Sequence, residues 1–96
     1  MFDFINWNRA ALALERAASS AASGDERMTA HHLDKVRRLL PGTRFNLNQV
    51  RALLSLYDRV LAAAQGLSGT IPIRQNCEEM KKVLEEYKET EWPESA

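Results

Sequence analysis

The sequence predicts an all-α protein: a compact bundle of about four helices over residues 3–20, 30–40, 47–65 and 72–89. Three observations predict it. Apolar residues recur at alternating spacings of three and four in these segments, which places one stripe along each helix. Residues that start and stop helices bracket the segments. No stretch of useful length alternates apolar with polar, as a half-buried strand does. The chain has 96 residues, enough for one domain over residues 1–90 and a short polar tail, 91–96, that carries Trp92.

In the first helix the stripe is Phe4, Trp7, Ala11, Leu14, Ala18 and Ala21. It shrinks from aromatics to alanines, so its far end admits a neighbour at close range. Gly24 ends the segment. The second helix takes Thr29 as N-cap, buries Leu33, Val36, Leu39 and Leu40, and stops at Pro41-Gly42. The third has the clearest start. Asn46 caps it, Gln49 reaches back as in a capping box, and Phe45 is placed to staple onto Val50. Leu47, Val50, Leu54, Tyr57, Leu61 and Ala64 follow, widened by Leu53 and Val60, until Gly66. The fourth begins near Thr70-Ile71-Pro72 or at Asn76, with Ile73, Cys77, Met80, Leu84 and Tyr87 as its stripe. The spacing fits shallow bundle crossings near about +20°. No segment sustains the heptads of an extended coiled coil, and no internal repeat is visible.

Composition narrows the function classes. With 45% hydrophobic and 27% charged residues the chain is an ordinary globular sequence, which argues against a disordered chain or an acidic solvating tail. A formal charge of zero argues against a histone-like polycation. The longest uncharged run, residues 60–73, is too short to span a bilayer, so no membrane partner is expected. Asp3, Asn6 and Asn8 do not suit a signal peptide. A single cysteine, Cys77, fits a reducing compartment, and the expected location is cytoplasmic.

Catalytic constellations are sparse. His31, His32 and Asp34 form the one cluster of metal-ligand types, but on a helix only His31 and Asp34 share a face. Two ligands fall short of the three or four that zinc requires. Cys77 would sit near a helix start, where thiols acidify, yet it also falls on the apolar stripe, where cysteine acts as a small hydrophobe. The stripe decides for burial. Glycine-rich phosphate loops and Gly-x-Ser-x-Gly turns are absent. The expectation is no catalysis, no cofactor and no metal.

Charge placement carries more information. Residues 1–26 hold four acids against two arginines. Residues 27–60 hold seven cations against two acids, a net of +5. Residues 77–96 hold seven glutamates against three lysines, a net of −4. The basic block, a helix, a turn and a second helix, invites comparison with a helix-turn-helix. Lys35, Arg37, Arg38 and Arg44 would hold phosphates, and Asn48, Gln49 and Arg51 are types that read base edges. The turn is longer than usual, and Gln49 is already explained as a cap partner. At the acidic end, pairs four apart such as Glu78 and Lys82 can neutralise one another along a solvated face.

The leading expectation is a small non-enzymatic regulator that binds another protein as an inhibitor, adaptor or assembly factor, of the kind phages and plasmids often encode. The expected contact surface joins amino-terminal apolar residues Phe2, Ile5 and Trp7 to Glu79, Glu86, Glu89 and Trp92. Ile5 and Leu12 lie off the main stripe of the first helix, which suggests a homodimer through that face. DNA binding through the second and third helices is the alternative.

Overall fold

Alanines decide where the first helix goes. α1 (Phe4–Ala22) buries Ala10, Ala13, Leu14, Ala17, Ala18 and Ala21. Such a broad strip of small side chains lets two neighbours approach one helix. α1 accordingly packs against both α2 (Glu26–Leu39) and α3 (Leu47–Ala64), and α4 (Thr70–Glu89) closes the bundle against α3 and α2. The structure, a computed structural model, describes residues 4–40, 45–67 and 70–89. Among these, α1 makes no contact with α4, and α2 makes none with α3. The order around the bundle is therefore α1, α2, α4, α3, and the expected all-α architecture is present.

Helix directions follow from cross-helix pairs. Near the starts of α1 and α3, the Trp7 indole N–H donates to the Gln49 carbonyl at 3.2 Å. Toward their far ends, Ala18, Ser19 and Ala22 share a shallow depression with Arg59, Ala62 and Ala63. α1 and α3 thus run parallel. So do α2 and α4: Ala30, Leu33 and Asp34 face Pro72, Ile73 and Asn76, and Arg37 meets Glu79 at 3.1 Å further along. Two antiparallel hairpins lie side by side in the same orientation.

Burial repeats with that arrangement. Ala10, Leu14, Ala17 and Ala21 of α1 have the same four-three-four spacing as Leu53, Tyr57, Val60 and Ala64 of α3. Thr29, Leu33, Val36 and Leu40 at α2 match Ile73, Cys77, Met80 and Leu84 of α4 in the same way. Only Ala21 with Ala64 and Leu40 with Leu84 agree in identity, so the repeat is one of packing and leaves little trace in sequence.

Two boundaries differ from expectation. α2 starts at Glu26 rather than residue 30, because Gly24 turns the chain at φ +83° and delivers Asp25, not Thr29, to the cap. The Asp25 carboxylate accepts from the Met28 N–H at 3.0 Å, where a negative charge also suits the helix dipole. Thr29 lies fully buried instead, its hydroxyl donating back to the Asp25 carbonyl at 2.7 Å, while Leu39 is only half-buried. α4 starts at Thr70, with Pro72 in the first turn, where an N–H has no intrahelical acceptor to lose. The α3 capping box is formed as expected. The Asn46 side chain accepts from the Gln49 N–H at 2.8 Å, and the Gln49 side chain accepts from the Asn46 N–H at 2.9 Å. Phe45 and Val50 are fully buried in one core cluster.

Tyr57 is the largest fully buried side chain, and its hydroxyl has no hydrogen-bond partner among the described residues. Replacing Tyr57 with Phe removes that unsatisfied group and should raise the unfolding free energy by about 1 kcal/mol in urea titrations. A loss of similar size would show that the hydroxyl is bonded. Asp25→Ala should cost about 1 kcal/mol by the same measurement, through loss of the α2 cap.

Candidate functional site

Among the described residues, the acidic and aromatic residues of the expected surface are divided between α1 and α4. Ile5 is exposed, but Trp7 is half-buried with its indole N–H committed to α3. Glu79 is bound to Arg37 across the α2–α4 contact, and Glu86 is exposed on α4. α1 and α4 occupy opposite corners, so Ile5 and Glu86 stand on helices that do not touch. Phe2, Trp92 and the Glu89 side chain lie outside the described residues.

The basic residues are divided as well. Lys35, Arg37 and Arg38 are exposed on α2, whereas Asn48 and Arg51 are exposed on α3, its diagonal neighbour. Arg38 pairs with Asp34 and Arg37 with Glu79. Gln49 is buried and committed to the capping box, so it cannot read a base edge. Arg44 lies outside the described residues. A helix-turn-helix needs its two helices packed on one another, and α2 and α3 are not.

His31 and His32 stack edge to face with ring centroids 5.4 Å apart, while the Asp34 carboxylate is occupied by Arg38. Among the described residues no three His, Cys, Asp or Glu side chains gather as a metal site. Cys77 is buried, and burial, assisted by neighbouring Glu78, pushes its thiol up to about 12. At neutral pH it is a protonated hydrophobe.

What the fold leaves exposed on the α1–α2 hairpin is one outward row on each helix. On α1, Ile5, Arg9, Leu12 and Arg16 follow at spacings of four, three and four, and all are exposed. On α2, Met28, His32, Lys35 and Leu39 follow at the same spacings; Met28 and Lys35 are exposed, His32 and Leu39 partly so. Each helix thus carries a second stripe beside its buried one. The turn at Gly24, closed by the Asp25 N–H donating to the Ser20 carbonyl at 2.9 Å, sets α1 and α2 antiparallel. Ile5 and Leu12 are the apolar residues that the sequence leaves off the main stripe of the first helix. The α2 half was missed, because Met28 fell before the expected helix start and Leu39 was assigned to the core.

Partial burial lowers the His32 pKa, and the neighbouring His31, Arg16 and Lys35 lower it further against the opposing pull of Asp25. The folded ring therefore protonates at lower pH than the unfolded one, whose ordinary value is 6.5. Stability is retained above 6.5 and declines as pH falls below it, because the unfolded chain binds the proton first. In an NMR titration the His32 ring should show a midpoint below 6.5, and Arg16→Gln should raise it. A midpoint at or above 6.5 would show that burial and the neighbouring cations do not act on the ring.

Compared with known proteins, the chain matches no family model, no curated protein and no solved structure.

Proposed function

We propose that this chain is a small non-enzymatic helical protein that acts by binding another protein, as an inhibitor, adaptor or assembly factor. One observation carries the reading. Among the described residues the exposed large hydrophobics are Ile5, Leu12 and Met28, at 67%, 46% and 40%, and all three stand on the α1–α2 hairpin. Single exposed apolar residues are ordinary on any surface. Ile5 and Leu12, two turns apart on one outward face of α1, form an apolar pair of the kind that marks an interaction site. Burying a side chain of this size against a partner contributes about 1.5–3 kcal/mol.

The outward face of α1 at Ile5 and Leu12 takes the place of the acidic and aromatic surface as the contact site. Trp7 and Glu79 already serve contacts within the bundle, and the α4 corner offers charge without exposed large hydrophobics among its described residues. The DNA-binding alternative gains no support from helices that stand diagonally and from a buried Gln49.

A photo-crosslinking amino acid placed at Leu12, with Glu78 on α4 as the control position, tests this in the native host. Protein adducts should form from position 12, be scarce from position 78, and disappear when Ile5→Asp is added. An adduct with a second copy would make the partner a homodimer mate. Absence of protein adducts at position 12, or recovery of nucleic acid there instead, would contradict the reading.

A further inference from the structure

We propose that the chain forms a two-fold dimer through the outer face of α1 and α3, with α1 of each copy laid on α3 of the other. This face adjoins the contact at Ile5 and Leu12 and is distinct from it. A shallow depression lies there between the two parallel helices, lined by Ala18, Ser19 and Ala22 of α1 and by Ala62 and Ala63 of α3. Glu15 and Arg59 stand at the same depression, one from each helix. Ala11 and Ala52, four residues before Glu15 and seven before Arg59, continue the small side chains toward the helix starts. Leu12 lies about 60° round α1 from Glu15, on the side opposite Ala18, and so stands at the rim of the face.

Charge selects a second copy as the occupant. Glu15 and Arg59 are exposed, and neither has an ion-pair partner among the described residues. With one charge of each sign, the face is complementary to itself. Two copies can lay it face to face, helices aligned, in two ways. A two-fold axis across the helices sets α1 on the partner's α1, where each charge faces its own kind. A two-fold axis along the helices sets α1 on the partner's α3. Glu15 then faces the partner's Arg59, and Arg59 faces the partner's Glu15. Symmetry also fixes the height of this second arrangement. The Trp7–Gln49 hydrogen bond aligns α1 with α3 at an offset of 42 residues. Glu15 therefore comes level with Tyr57, about 3 Å along the axis from Arg59. Two long side chains span that step.

The area suits a reversible dimer. α1 and α3 run to 19 and 18 residues. Two helices about 28 Å long and roughly 10 Å apart cover about 550 Å² per copy, or about 1,100 Å² in total. That exceeds the roughly 1,000 Å² expected of a specific interface and stays at the weak end of the range. A dissociation constant in the micromolar range is expected.

Sedimentation equilibrium on the full chain tests the dimer. The wild-type mass should approach twice 10.9 kDa above micromolar concentration. Glu15→Arg or Arg59→Glu alone sets like charges together at both symmetric positions and should weaken association about tenfold or more. An equimolar mixture of the two variants should recover it, because each arginine of the face then meets a glutamate. The double variant should recover it for the same reason. Glu78→Lys on α4 should leave it unchanged, with helical circular dichroism constant throughout. A wild-type chain that stays monomeric at millimolar concentration would overturn the proposal, as would single reversals without effect or a mixture that does not recover. Pairing of Glu15→Arg with wild type in preference to Arg59→Glu would also overturn it, by showing α1 on the partner's α1. A monomeric chain that still crosslinks to a host protein from position 12 removes the dimer alone. A dimer that passes the charge tests without host adducts at position 12 removes only the adaptor reading.

Discussion

The arrangement depends on the alanines of α1. Ala10, Ala13, Ala17, Ala18 and Ala21 share one buried cluster with the larger Tyr57, Leu53 and Val60 of α3 and Leu33 and Val36 of α2. Close packing of small against large needs no voids and tolerates few substitutions. One helix can thereby serve two neighbours at once, and α4 is left with the position diagonal to it. The Trp7 indole then ties α1 to the first turn of α3, which holds the two helices parallel at their starts.

That placement determines which charges meet. The basic middle and acidic end of the chain are brought together only in part: Arg37 reaches Glu79 between α2 and α4, and Lys81 reaches Asp58 at 2.5 Å between α4 and α3. All of these groups are at least partly exposed, so each pair contributes about 0–1 kcal/mol and acts more on orientation than on stability. Arg9 and Arg16 stand on α1, which no acid-bearing face of α4 approaches. The neutrality of the whole chain therefore conceals a cationic, apolar row on the outward face of α1 and exposed glutamates on α4 at the opposite corner.

Local features were legible in the sequence and non-local ones were not. Asn46 and Gln49 disclosed the α3 start because both halves of a capping box lie within three residues. Cys77 disclosed its burial through its place on the α4 stripe. The α2 start was misread because Thr29 and Asp25 are both good caps, and only the turn at Gly24 selects between them. The partners of Trp7 and Arg37, each 42 residues away, could not be read from periodicity. A stripe states that a face is buried, not which helix covers it. The second stripe of α1 was visible in Ile5 and Leu12. Its counterpart gained meaning only when α2 was found antiparallel beside it.

Parallel pairing of α1 with α3 is the claim on which the stacked-hairpin arrangement depends, and spin-label distances test it directly. Labels at Ser19 and Ala62 occupy the far ends of the two helices, while a label at Asn48 marks the start of α3. Cys77 is buried and should stay unlabelled. Parallel helices predict a short distance from position 19 to position 62, and one longer by about 15–20 Å from position 19 to position 48. The opposite order, with position 48 nearer than position 62, would show α3 antiparallel to α1 and contradict the stacked-hairpin arrangement.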